Sequence, residues 1–276
     1  MLEVRSLSKT FFPGTPNEVR ALCDVGLTLA DGCFAAIIGT NGSGKSTLLN
    51  AVAGTFQPDA GTLSLAGHAI TGWPEHRRAS LVGRVFQNPF AGTAAEMSIA
   101  ENIVLATRRG QPRGLGFALS RQVRNELADR IRTLKMGLED RLENPIGTLS
   151  GGQRQAITLL MATWLRPKLL LLDEHTAALD PKSAAQVAVL TKEIVTREKL
   201  TTLMVTHSMQ QAVQLPDRII MMHRGRIVED YEGERRSRVR TDDLMHAFDR
   251  MRRRDLFDAT VASTILPQLG ATPPCP

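Results

Sequence analysis

Apolar residues fall in two rhythms along this chain. Short unbroken runs, Cys33 to Ile38 and Lys168 to Asp173, have the length and aliphatic content of buried strands. Longer stretches with helical composition are Lys45–Ala53, Ile99–Thr107, Arg121–Met136 and Lys182–Arg197. Residues 1–31 read as short strands broken by a turn at Pro13-Gly14-Thr15-Pro16. Further strands are predicted at Val82–Phe86, Thr201–Thr206 and Arg218–His223. The alternation of strand and helix argues for an α/β fold with a mostly parallel sheet. Residues from about 90 to 164 differ: helical stretches flank a basic, glycine-rich loop, Arg108–Gly116, and read as a helical lobe inserted in the α/β core.

Local signals place two helix starts. Asp180 before Pro181 is an N-cap ahead of a first-turn proline. Ser150 and Gln153 have capping-box spacing. A last helix is predicted over Asp242–Arg254, with Leu244, Phe248 and Met251 on one face, before a loose tail at Pro267–Pro276. The chain therefore divides into residues 1–232, the α/β unit, and 233–276, a basic helix and tail; it carries no internal repeat.

The 276 residues are 42% hydrophobic, enough for a sizeable core, and only 4% aromatic, so that core is aliphatic. No apolar run approaches the roughly 18 residues of a membrane helix. The start, Met1-Leu2-Glu3-Val4-Arg5, lacks a signal pattern, which implies a cytoplasmic chain. Cys23, Cys33 and Cys275 form no CxxC pair and suggest no disulfide framework. The net charge of +6 is concentrated at Arg235–Arg240 and Arg250–Arg254, read as a solvated basic tail, with contact to anionic lipid or nucleic acid as the alternative.

Three segments carry chemistry. Gly39-Thr40-Asn41-Gly42-Ser43-Gly44-Lys45-Ser46-Thr47 fits GxxxxGK(S/T) in full, between a strand and a helix. Glycines let backbone N–H groups cradle phosphate oxygens, and the helix points its positive end at the same place. Lys45 supplies charge for the β and γ phosphates, and Ser46 a hydroxyl for Mg²⁺. The aliphatic run ending in Asp173 and Glu174 offers an anchor for the Mg²⁺ shell and a group to polarise the attacking water. Leu149-Ser150-Gly151-Gly152-Gln153 puts a serine and glycines at a helix N-terminus, a second anion site.

Together the three segments resemble the ATP-binding-cassette (ABC) ATPases over nearly the whole chain. The resemblance implies a P-loop ATPase core with an N-terminal antiparallel β region and an inserted helical subdomain. It implies ATP and Mg²⁺ as ligands. Gln87, in Val85-Phe86-Gln87, matches the glutamine that reaches metal and water. Asp180, in Ala178-Leu179-Asp180, matches the aspartate that communicates across the dimer. His207, in Val205-Thr206-His207, matches the switch histidine at the γ-phosphate. Phe11 is expected to stack on adenine, with Phe12 the competing choice. His175 departs from the proline common after the glutamate, and is read as a local hydrogen-bonding substitute. In this family each ATP is covered by the partner's LSGGQ segment, so a second copy is expected to complete each site.

Phe90-Ala91-Gly92-Thr93-Ala94, the DEHTAALDPK run and Met204-Val205-Thr206-His207 look like ATPases of bacterial importers proposed for amino acids such as tryptophan or tyrosine. That likeness implies permease subunits, a substrate-binding protein, and a place at the cytoplasmic face of the membrane. Nucleic acid is not an expected partner. The second reading is a soluble, non-transport ABC ATPase such as one driving cofactor assembly; a permease-receiving groove near Gln87 discriminates the two.

Overall fold

Alternate residues of the central strands serve two different cores, and this organises the molecule. The computed structural model describes residues 1–109, 119–251 and 253. Its elements in order are β1 (Leu2–Phe11), β2 (Val19–Leu29), β3 (Phe34–Gly39), α1 (Lys45–Ala53), β4 (Ala60–Leu65), β5 (His68–Ala69), α2 (Glu75–Arg78), β6 (Val82–Val85), α3 (Ile99–Thr107), α4 (Arg121–Arg132), α5 (Gly151–Thr163), β7 (Leu169–Asp173), α6 (Pro181–Glu198), β8 (Thr202–Val205), α7 (Met209–Gln214), β9 (Arg218–His223), β10 (Arg226–Tyr231) and α8 (Gly233–Arg238). A last helix, α9, covers residues 241–251.

The main sheet runs β10-β9-β3-β8-β7-β6. Its strands are parallel except β10, which returns antiparallel beside β9. A second sheet, β2-β1-β4-β5, is antiparallel. In β3, Phe34, Ala36 and Ile38 join one core with α5 and α6, while Ala35 and Ile37 join the other with α1 and the antiparallel sheet. Leu170 and Leu172 of β7 divide from Leu169 and Leu171 in the same way. Strands covered on both faces have no polar face to show, so the unbroken apolar runs follow.

Helices α3, α4 and α5 lie between β6 and β7 in the chain. Ser98 and Glu101 form a capping box at the start of α3. The Asn102 side chain accepts from Ala94 N at 2.8 Å and donates to Ser98 O at 2.9 Å, folding the segment after β6 onto α3. Gln155 Nε2 donates to Phe86 O at 3.0 Å, tying α5 to the end of β6. Arg78 is fully buried and caps the carbonyl end of α1: Nη1 donates to Ala51 O at 2.7 Å and Val52 O at 2.9 Å. Those carbonyls are among the orphans every helix end leaves, and a charged donor satisfies them well.

Several expectations shift. Helix α4 stops at Arg132, not Met136: i→i−3 bonds from Thr133, Leu134 and Lys135 tighten the chain, and Lys135 turns left-handed at φ 56°. The elements β4, β5, α2, α7, β10 and α8 are additional. Arg236 is not part of a solvated tail: it is half-buried and donates to Pro216 O at 3.0 Å and to Val213 O. Helix α9 packs Leu244 and Ala247 into the core beside Phe248 and Met251. Residues 110–116 of the basic loop, 252 and 254, and the Pro267–Pro276 tail with Cys275 lie outside the described residues.

Candidate functional site

The C-terminal ends of β3, β7 and β8 lie side by side, the position at which open α/β sheets present ligand-binding residues. Strand β3 delivers the chain to Gly39, and α1 begins at Lys45. Between them the loop turns back through Gly44, left-handed at φ 97°, where a Cβ would sit 2.4 Å from the Ala21 carbonyl oxygen. Only glycine satisfies both demands. Gly225 N donates to Ser43 O at 3.0 Å, anchoring the loop to the β9–β10 turn. Asn41, Gly42 and Ser46 are exposed and Thr47 is half-buried, whereas Ser43 is buried and its hydroxyl has no partner among the described residues. The first turn of α1 contains no acidic residue, so nothing within the helix offsets its positive end.

Lys45 is buried, and its ammonium donates to Gly39 O at 2.9 Å and Thr40 O at 2.8 Å. Burial pulls it below the ordinary lysine value; the carboxylates of Glu174 and then Asp173 oppose that shift. Both acids therefore face the loop. Asp173 shares parity with Leu169 and Leu171, the residues that face α1. Glu174 follows at φ 46°, its N–H bonded to Val205 O at 2.9 Å. This unusual backbone turns its carboxylate to His207, whose Nε2 lies 2.6 Å from Glu174 Oε1.

Gln87 is exposed just past the end of β6. Ser150 and Gln153 make the expected capping box at the start of α5. Gly151 and Gly152 pack on the start of α6: a Cβ on Gly152 would lie 2.7 Å from Ser183 Cβ. Asp180 caps α6, accepting from Ser183 N at 3.1 Å, and its hydrogen bonds with Ser183 lower its pKa. Among the described residues no hydrogen bond joins Ser150–Gln153 to the Gly39–Thr47 loop of the same chain. Phe11 is half-buried at the end of β1 and meets Phe56 edge-on at 5.4 Å. Phe12 is 66% exposed with φ 52°.

A protein-family profile described as ABC transporter matches residues 22–177. The chain belongs to the ABC transporter family. A tyrosine transport ATP-binding protein of Clostridioides difficile is 39% identical over 90% of this chain and 99% of its own length. A lipoprotein-releasing system ATP-binding protein, LolD 1 of Caulobacter vibrioides, is 36% identical over 75% of this chain and 86% of its own. A dimeric ATP-binding cassette solved in a post-hydrolysis state with ADP and phosphate superposes with TM-score 0.71 at 25% identity, covering 84% of this chain and 98% of that one. As an ABC ATPase the cassette binds and hydrolyses ATP.

Two further side chains stand beside this ABC site, one that motif reading misses and one, His175, that it marks as a local hydrogen-bonding residue. Arg84 reaches Asp173 from the neighbouring strand, 3.4 Å from Oδ2. A charge inside the short strand Val82–Val85 is the signal that marks it, because buried charges need partners. His175 is the other. It is buried, with Nε2 2.9 Å from Thr191 Oγ1. Thr191 spends its proton on Val187 O, so the imidazole donates through Nε2. Burial pushes its pKa down to about 4. The unfolded chain takes up that proton near the ordinary histidine value of about 6.5, so stability falls as pH drops from there toward 4. The full loss amounts to roughly 3 kcal/mol. Urea midpoints should therefore drop more steeply between pH 6.5 and 4.5 in the wild type than in His175→Gln; equal slopes would place the acid sensitivity elsewhere.

Proposed function

We propose that this chain is the ATP-hydrolysing subunit of a bacterial importer of a small solute of the amino-acid class. It works as a homodimer at the cytoplasmic face of the membrane, beneath a separate permease served by a substrate-binding protein. The observation that carries this reading is a groove of about 450 Å³ beside Gln87, lined by Arg84 of β6 and Phe86 just past it, Leu105 and Ala106 of α3, Met161 of α5, and Arg109. An apolar trough of this size with basic walls suits a short amphipathic helix from a partner. Among the described residues no helix is long and apolar enough to cross a membrane, so the span belongs to another chain in this reading. The tyrosine-transport relative, alike over nearly the whole chain, supports the solute class.

In this reading Lys45 and the backbone N–H groups of Gly39–Thr47 hold the β and γ phosphates, and Phe11 stacks on adenine. Ser46, Asp173 and Gln87 form an all-oxygen donor set with a single carboxylate, which fits Mg²⁺ shared with nucleotide phosphates. Bound there, Mg²⁺ would neutralise charge on the phosphates. Glu174 takes the proton of the attacking water as its oxygen bonds to the γ phosphorus; the bond to the β-phosphate oxygen breaks, and ADP leaves. His207 contacts the γ-phosphate and orients Glu174. Ser150, Gly151, Gly152 and Gln153 of the second copy close over the nucleotide, with Asp180 linking the two sites. Residues 1–232 form the ATPase and 233–276 an appended basic segment.

The test is recovery of the tagged chain from detergent-solubilised membranes. A multi-span membrane protein is expected with the wild type and not with Leu105→Glu, which puts a charge on the groove wall while retaining ATP binding. Full ATPase activity with only soluble partners would overturn the transport reading.

A further inference from the structure

Arg84 sits in β6 among Val82, Gly83 and Val85, with its side chain only 14% exposed. A guanidinium held there must find acceptors, because an unpaired buried charge is costly. Its Nη2 donates to Asn50 Oδ1 at 2.5 Å and lies 3.4 Å from Asp173 Oδ2. Its Nη1 donates to Thr55 Oγ1 at 3.3 Å, and the guanidinium carbon lies 4.6 Å from the centre of the Phe86 ring. The partners are not random surface groups. Asn50 stands four residues after Ser46, on the same face of α1. Asp173 ends β7, and Phe86 precedes Gln87. One side chain thus joins the helix that follows the phosphate loop, the acidic strand end and the strand that leads to Gln87.

We propose that Arg84 is a positioning residue for ATP hydrolysis: it grips Asp173 through Oδ2, braces that carboxylate against α1, and leaves Oδ1 for the divalent cation. The proposal rests on the reading of Asp173 as the Mg²⁺ carboxylate. Carboxylates that bind metals are commonly held by such outer partners, whose loss costs about 10–100-fold in metal affinity or activity. A lysine cannot bridge Asn50, Thr55 and Asp173 together, because it lacks the planar fork.

The test uses the full chain with saturating ATP and Mn²⁺ as the probe, read by electron paramagnetic resonance rather than turnover. Arg84→Met is expected to raise the Mn²⁺ concentration for half-saturation about tenfold, with metal-free ATP binding unchanged. Arg84→Lys should recover part of the loss. Asn50→Ala, which removes only the brace, should shift Mn²⁺ binding in the same direction and stands in if Arg84→Met does not fold. Unchanged or tighter Mn²⁺ binding in these variants overturns the proposal. Asp173→Asn separates the failures: if it weakens Mn²⁺ binding while Arg84→Met and Asn50→Ala do not, only the role of Arg84 falls; if Asp173→Asn also binds normally, the reading of Asp173 falls with it.

Discussion

Glu174→Gln is expected to slow ATP turnover by about 10²–10⁴-fold, the usual contribution of a general base, while ATP still binds. The substitution changes little else. Glutamine keeps the volume, and its amide oxygen can accept from His207, which now meets Glu174 Oε1 at 2.6 Å. The backbone is fixed independently of the side chain, by the bond from residue 174 N to Val205 O at 2.9 Å. Lys45 loses one of the two carboxylates that oppose its desolvation, but Asp173 remains. Phosphate release should therefore collapse while an ATP-bound dimer accumulates in gel filtration. A variant that hydrolyses at the wild-type rate would strip Glu174 of this role and leave His207, exposed and adjacent, as the next group to test.

The parts of this molecule that sequence reading reaches are those with local causes. Helix α1 begins and ends where its composition says, and Ser150 and Asp180 cap their helices through residues three positions on. β3 and β7 are legible because burial on both faces leaves unbroken aliphatic runs. β4 and β10 are not: Ala-Gly-Thr-Leu-Ser-Leu and Arg-Ile-Val-Glu-Asp-Tyr mix polar with apolar residues, and pairing with β1 and with β9 makes them strands. The site divides in the same way. Lys45, Asp173, Glu174 and Ser150 announce themselves by motif. Arg84 meets Asn50 and Asp173 across 34 and 89 residues of chain, and no window along the sequence contains that contact. Arg236 was hidden similarly: a cluster of arginines looks solvated until one of them finds the carbonyls of Val213 and Pro216.

Mixing two inactive variants is expected to restore activity. Lys45→Ala disables a subunit's own phosphate loop. Gly151→Asp places a negative charge where, in the proposed dimer, the α5 N-terminus meets phosphate on the second copy. Gly151 is the better choice than Gly152: a Cβ there meets the flexible end of Leu179 at 3.2 Å, whereas at Gly152 it strikes Ser183 Cβ at 2.7 Å. The asparagine-sized acid at 151 is also tolerable to the helix, since negative charge favours its N-terminus. Each variant alone should be nearly dead, because both of its sites carry a defect. In a heterodimer one site combines an intact loop with an intact LSGGQ segment, and the other carries both defects. With random exchange half the dimers are mixed, so about a quarter of wild-type turnover should return if the two sites act independently. The geometry favours this outcome over completion within one chain: Gly151 and Gly152 lean on their own Leu179 and Ser183, and among the described residues the exposed Ser150 end of α5 makes no hydrogen bond to its own phosphate loop. No recovery from a mixture shown by mass to contain heterodimers would mean that each chain closes its own site.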